Sequence, residues 1–354
     1  MNSKNLHLNS RRFSGCTLTG ALSVTTQVKD GITVIHGPEG CVHHNLSLFH
    51  ALSVDNGSLE MPVLSCSGMD QERIIFGGED ALENSIRDAI SSDSGLKSVF
   101  VLSTCVADTI GDDAGSVCSK DYDLPVTFIP TSGFLGGVFQ NGFENALKNL
   151  ALQCSENVSG KKMTVNIVGE KNLEFEVESN YSELNRILEL LGLSVNIRHV
   201  RGCKTGDLYS VGDAALNILR DHSVLKVGEY LMERYGTGYV EGFPIGFSGT
   251  LEFIRKLGDM FAMDISGALG FEHDLQLKII DEFDDICGSS VCFIYPEQLT
   301  IDDASVRSVI DELCGLFNLK IRKDGIPVPF PFPGPVGSTG TKRLLHRWRR
   351  VLNG

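Results

Sequence analysis

What most restricts the folding of this chain is an alternation. Short apolar, β-branched runs recur along it: ITVIH (32–36), SVFVLS (98–103), PVTFIP (125–130), MTVNIVG (163–169) and VCFIY (291–295). Runs that are apolar at nearly every position predict strands buried on both faces, the condition inside a parallel sheet. Segments of helical period lie between them. In EDALENSIRDAI (79–90), Leu82, Ile86 and Ile90 share one face. In HSVLKVGEYLMERYG (222–236), Val224, Leu225, Gly228, Leu231, Met232 and Tyr235 do so before Gly236 stops the helix. This order predicts the α/β class, with two to three doubly wound, Rossmann-like domains on parallel sheets.

A chain of 354 residues exceeds the usual single domain. The hydrophilic stretch CSENVSGKK (154–162) and the turn-rich DDICGSS (284–290) give boundaries that divide it into residues 1–155, 156–284 and 285–354, the last a shortened α/β domain ending in a helix. The prolines of GIPVPFPFPGPVGSTG (325–340) cannot donate to a central ladder, so an extended surface segment leading into the final helix is expected there.

The formal net charge of −14 opposes nonspecific nucleic-acid binding, and the only basic cluster, Lys342 to Arg350, reads as a solvated helix face or a partner contact. Ten scattered cysteines and a polar start, MNSKNLHLNSRR, suit a reducing cytoplasm better than an export route. No uncharged apolar run reaches about eighteen residues, so no membrane span is expected. Several motifs are missing. GPVGSTGTK has the wrong spacing for a phosphate-binding loop, GTGYVEG (236–242) fails the dinucleotide pattern, and CxxC, HExxH and GxSxG do not occur. The chain therefore has no recognisable means of binding ATP itself.

Three cysteines stand in glycine-flanked or strand-terminal settings: FSGCTLTGA (Cys16), HGPEGCVHH (Cys41) and FVLSTCVADTIGDD (Cys105). SVFVLS delivers Cys105 to the carboxyl end of a strand, where open α/β sheets bind ligands. Glycines before Cys16 and Cys41 let backbone approach a bulky inorganic group and offer it N–H donors. Thiolate is soft and suits iron–sulfur clusters, yet each thiol equally suits a small buried hydrophobe, and spacing alone decides nothing between these readings. Cys66, in LSCSGMD, is either a fourth ligand or a core thiol. His36 is expected to fix its Gly-Pro turn by a hydrogen bond. His43 and His44 lack a second ligand pair for zinc. Cys118, Cys154, Cys203, Cys287, Cys292 and Cys314 read as packing residues. Tyr209, Arg220 and His222 are substrate-contact candidates only if a pocket joins them.

The segments GCTLTGA, VIHGPEGC, MPVLSCSGMDQERIIFGGEDALENSI, LSTCVADTIGDD and PVTFIPTSGFLGG, in this order and approximate spacing, resemble component 1 of nitrogenase and its relatives across residues 10–150. Residues 214–258 resemble the region of the STL and PIG motifs of the β-type subunit, or of the related cofactor-assembly scaffold subunit. The resemblance implies that Cys16, Cys41 and Cys105 carry an iron–sulfur cluster, 4Fe-4S or P-cluster-like, at a subunit interface. Three thiolates leave a cubane one ligand short, which implies a dimer with itself or a heterotetramer with a sister subunit. It also implies an ATP-dependent iron-protein reductase as electron donor and a role in nitrogen fixation or a related reduction. Arg220, Asp221 and His222 stand where the α-type subunit has its cofactor cysteine, and Gly137 stands where a serine assists the P-cluster. The resemblance also implies a third domain trimmed after about residue 280.

Overall fold

The computed structural model describes residues 15–55, 61–134, 137–155, 160, 162–170, 172–174, 176–294, 304–330 and 334–354. Two compact units are formed, Arg12–Phe175 with Val195–Glu241, and Glu176–Ser194 with Gly242–Gly354. The helices of nine or more residues, together with the short α4, are α1 (Thr17–Thr25), α2 (Glu39–Asp55), α3 (Glu79–Ser92), α4 (Cys105–Ile110), α5 (Phe139–Ala151), α6 (Val177–Leu190), α7 (Leu225–Tyr235), α8 (Gly246–Phe261), α9 (Ser266–Glu282), α10 (Ala304–Leu316) and α11 (Gly337–Leu352).

The unit with the N-terminal strands holds two sheets. In the first, β1 (Gly31–His36), β2 (Leu64–Cys66), β3 (Ser98–Ser103) and β4 (Val126–Ile129) run in the order β2-β1-β3-β4, with every pairing parallel. In the second, β5 (Thr164–Val168), β6 (Ser194–His199), β7 (Leu216–Leu219) and β8 (Tyr239–Val240) repeat that order as β6-β5-β7-β8. The chain leaves the first strand of each sheet toward one side and returns on the other, which is doubly wound topology with a switch point between the two central strands. β3 is buried along its whole length, as its apolar run predicts. β4 is an edge strand, and Val126, Thr127 and Phe128 are only half-buried because one side has no neighbour.

The helices follow their periodicity closely. On α3, Leu82, Ile86 and Ala89 are buried against Ile32, Val34, Val99 and Val101 of the first sheet, with Ile90 half-buried beside them. α7 begins at Leu225 after a 3₁₀ turn over His222–Val224, and Gly236, at φ 70°, stops it in the left-handed conformation that glycine adopts without strain. Met232 departs from expectation. It is exposed and Val227 takes the buried place, because the buried stripe is centred on Val227, Leu231 and Tyr235 and Met232 lies at its edge.

The other unit has a sheet in the order β10 (Lys320–Ile321), β9 (Ser290–Ile294), β11 (Ile326–Pro329), parallel throughout. Its core gathers Phe247, Phe283, Phe317, Phe330 and Trp348. Pro327 and Pro329 stand in an extended, largely exposed strand at the edge of the sheet, in keeping with a proline-rich segment barred from a central ladder. β11 is a sheet edge, where a residue without N–H costs no ladder bond. Tyr295 and residues 331–333 lie outside the described residues, as do 156–159 and 161 of the proposed boundary stretch. The basic cluster on α11 is paired with carboxylates of its own unit: Lys342 with Glu282 at 2.6 Å, Arg349 with Asp285 at 2.5 Å, and Arg347 with Glu176.

Candidate metal centre

β1 and β3 lie side by side in register from Gly31–Ser98 to His36–Ser103, so the chain leaves them at neighbouring points. After β1 it turns through Gly37 and Pro38 into α2, which carries Cys41 in its first turn. After β3 it passes Thr104 into α4, which begins at Cys105. Both thiols thus stand at the carboxyl ends of the strands that flank the switch point.

Cys16 comes from α1, of which it is the N-cap residue. α1 crosses α5 at unusually short range because each helix presents a glycine there. A Cβ on Gly20 would sit 2.0 Å from the Phe139 carbonyl oxygen, and one on Gly142 would sit 1.8 Å from that of Thr17. This crossing seats the start of α1 against the loop after β4. Thr17 Oγ1 donates to the Thr131 carbonyl, and Thr131 Oγ1 donates to the Ser103 carbonyl at the end of β3. The same loop reaches the second thiol, since the Gly133 N–H donates to Cys105 Sγ at 3.3 Å.

The electrostatics agree with this convergence. Burial pushes the Cys41 thiol above its ordinary value, and the thiolate charges of Cys16, Cys105 and Cys66 push it further. The geometry is more direct: a Cβ at Gly133 would lie 3.1 Å from Thr17 Oγ1, beside Cys16, and 3.6 Å from Cys105 Sγ, while Cys41 follows the strand next to β3. Cys16 is exposed and the other three are half-buried. Among the described residues, no three His, Cys, Asp or Glu side chains are arranged to hold a single metal ion.

A buried histidine braces the floor. His36 Nε2 lies 3.0 Å from Asp112 Oδ2, and its Nδ1 lies 2.9 Å from Ser67 Oγ. A carboxylate only accepts, so Nε2 carries the proton and Nδ1 accepts from the Ser67 hydroxyl. Ser67 Oγ in turn accepts the Gly37 N–H at 3.1 Å, and Asp112 accepts the Gly78 N–H at 2.9 Å. Burial lowers the His36 pKa, with Asp112 opposing, which keeps the imidazole in this neutral role. The histidine thus fixes its Gly-Pro turn, as expected from its setting. Neither Asp112 nor Ser67 stood out in the sequence as its partner, because both are distant in the chain.

Other candidates fall elsewhere. Cys118, Cys154 and Cys203 are buried, and burial pushes the thiols of Cys118 and Cys203 up to about 12, so both stay protonated. Cys287 is exposed and is no packing residue, since it follows a surface 3₁₀ turn. Arg220 is buried against Glu174 at 3.3 Å, His222 is exposed with Glu241 at 2.5 Å, and Tyr209 is exposed. A cleft of about 370 Å³ lies instead beside the cysteine loops, lined by Thr17, Thr131, Ser132, Asn145, Lys148 and Lys226 among others. At Gly137 an added Cβ would come within 2.6 Å of Thr17 Cγ2, so a side-chain ligand has no room there.

Comparison with known proteins relates the chain's sequence and fold to one family. The chain is 25% identical over 278 residues to the nitrogenase iron-molybdenum cofactor biosynthesis protein NifE of Clostridium pasteurianum, covering 76% of this chain and 59% of that protein. It is 24% identical over 294 residues to the nitrogenase molybdenum-iron protein alpha chain of Methanococcus maripaludis, covering 76% and 59%. It is 23% identical over 282 residues to a light-independent protochlorophyllide reductase subunit of Prochlorococcus marinus, covering 75% and 53%. These identities are too even to separate one subunit type from another. The chain spans a little over half the length of these relatives. The fold matches the structure of nitrogenase Cp1 at pH 5 with a TM-score of 0.68 at 20% identity, over 90% of this chain and 65% of that one. No described helix is long and apolar enough to cross a membrane. Residues 16–286 match the profile of the nitrogenase component 1 type oxidoreductases, and the chain belongs to that family.

Proposed function

We propose that the chain is the cluster-bearing subunit of a nitrogenase-like oxidoreductase, with Cys16, Cys41 and Cys105 as protein ligands of a 4Fe-4S or P-cluster-like group. The observation that carries this reading is geometric: Cys41 and Cys105 follow neighbouring strand ends at the switch point of the first sheet, and the Gly133 loop lies against both Cys105 Sγ and Thr17, the residue after Cys16. The donor set fits such a group. Thiolate is its natural ligand, the Gly133 N–H already points at one sulfur, and Cys16 and Cys105 stand at the starts of helices, where the positive dipole end favours anionic sulfur. An iron–sulfur group held there supplies one-electron transfer. The chain's own part is to bind it, keep the cysteine loops braced through His36, and leave one side open.

That open side favours a protein partner. Ile75, Phe76, Phe134 and Val138 are exposed on segments that flank Cys105, apolar side chains that a docked subunit would cover. A sister component 1 subunit or a second copy of this chain covers it, and an ATP-dependent iron protein delivers electrons, since this chain lacks a phosphate-binding loop. The substrate is then dinitrogen, a thioether or a tetrapyrrole. A scaffold for metallocofactor assembly is the second reading, favoured by the Arg220–Glu174 pair where the α-type subunit has its cofactor thiol. Anaerobic mixing of the purified complex with its reductase and ATP separates the two. Repeated turnover of a small substrate supports the enzyme, and cluster transfer to an apo-acceptor without turnover supports the scaffold.

A further inference from the structure

The ladder between β1 and β2 pairs Thr33 with Leu64 and Ile35 with Cys66. Residues paired across a parallel ladder project from the same face of a sheet, and alternate residues of one strand do likewise. Ile35 and Leu64 belong to the core beneath α1 and α5, which Cys41 and Val42 of α2 also join. The opposite face, with Ile32 and Val34, belongs to α3. Cys66 therefore projects to the face covered by the helix that begins at Cys16 and by the helix that carries Cys41. Its position along the strand matters too. β2, β1 and β3 are consecutive neighbours, and strands lie about 4.8 Å apart, so their three carboxyl ends fall within about 10 Å.

From this placement we propose that Cys66 is the fourth thiol ligand of the iron–sulfur group, so that one chain completes the set that Cys16, Cys41 and Cys105 begin. The inference rests on the cluster reading above. The immediate contacts of Cys66 suit the role. Its Sγ accepts the Gly68 N–H at 3.4 Å, a donor that remains useful to a thiolate, and it donates to the Gly37 carbonyl at 3.3 Å, a bond surrendered when iron replaces the proton. Gly37 keeps its place without that bond, since its own N–H is held by Ser67. Cys66 is half-buried, unlike Cys118 and Cys203, which are sealed in hydrocarbon. A complete thiolate set has a consequence for assembly: the isolated chain retains its cluster without a ligand from a partner.

The test is anaerobic reconstitution of the full chain with iron and sulfide, followed by desalting, iron analysis and electron paramagnetic resonance of the reduced protein. Cys66→Ala should lower iron retention about tenfold or more, the scale on which even outer-shell changes weaken metal sites. Its residual resonance should change on adding a small thiol that fills the vacated position, while the far-ultraviolet circular dichroism stays that of the wild type. Retention and spectrum equal to wild type in Cys66→Ala, with iron lost in Cys105→Ala, would overturn the fourth-ligand assignment and leave the three-cysteine reading standing. A wild-type chain that takes up no iron overturns both.

Discussion

The backbone N–H of Gly133, in the loop after β4, donates to the sulfur of Cys105, the first residue of α4, at 3.3 Å. Two segments 28 residues apart thereby share one thiol, and that donor stabilises the thiolate more than the thiol. Gly133→Pro removes the donor. A redox titration of the reconstituted protein should show the reduction potential moved to a more negative value, since a hydrogen bond to the ligand sulfur favours the reduced, more anionic state. An unchanged potential would show that this bond does not tune the centre.

Loss of single thiols should sort the cysteines into two classes. Cys105→Ala should abolish most iron retention while leaving the fold intact, because the side chain stands half-exposed at a strand end. Cys203→Ala should keep full iron content and cost stability by about 1 kcal/mol, as a small cavity in the core does. Iron analysis beside urea unfolding reads both effects. Iron loss in Cys203→Ala would show the ligand set to be wrong.

The crossing of α1 and α5 leaves no room for a methyl group. Gly20→Ala or Gly142→Ala must push the helices apart, at about 1–3 kcal/mol for overpacking, and must move the start of α1 with its cysteine. Both variants should therefore lose iron as well as stability. A variant that loses stability but keeps its iron would separate the crossing from the site.

His199 is fully buried, its Nε2 bonded to the Leu147 carbonyl at 2.9 Å, and burial lowers its pKa from 6.5 to about 4. A histidine whose folded pKa lies below its unfolded value takes up protons preferentially when the chain unfolds. It therefore lowers stability as pH falls from about 6.5 toward 4, by up to about 1.4 kcal/mol per pH unit within that window. Urea unfolding at pH 7 and pH 5 should show this loss, and His199→Gln should flatten it.

Arg186 holds two buried carboxylates, Glu183 and Glu272, each at 2.8 Å. Arg186→Met leaves two uncompensated charges facing each other, which costs about 3–5 kcal/mol at neutral pH. Urea denaturation of the variant beside the wild type at pH 7 checks the size of the loss, and equal midpoints would show that the pair contributes nothing net.

Much of the architecture was legible in the chain because it rests on local regularities. β3 occupies the residues of its apolar run, α3 follows its Leu82–Ile86 face, and Gly236 ends α7, each dictated by burial or backbone freedom within a few residues. Met232 was misread because the centre of the stripe that α7 buries is set by what packs against it, which the local pattern does not show. The setting of His36 signalled a structural role, but not the identity of its partners, Ser67 and Asp112, which only tertiary packing supplies.

By itself the sequence determined the α/β alternation, the strand ends at which Cys41 and Cys105 stand and the absence of a phosphate-binding loop, because periodicity and spacing are properties of neighbours along the chain. Tertiary structure alone decided that the thiols of Cys16, Cys41, Cys66 and Cys105 share one neighbourhood. That meeting depends on strand order, on a glycine-to-glycine helix crossing and on the face to which Cys66 projects, and each of these is fixed by packing between segments far apart in sequence.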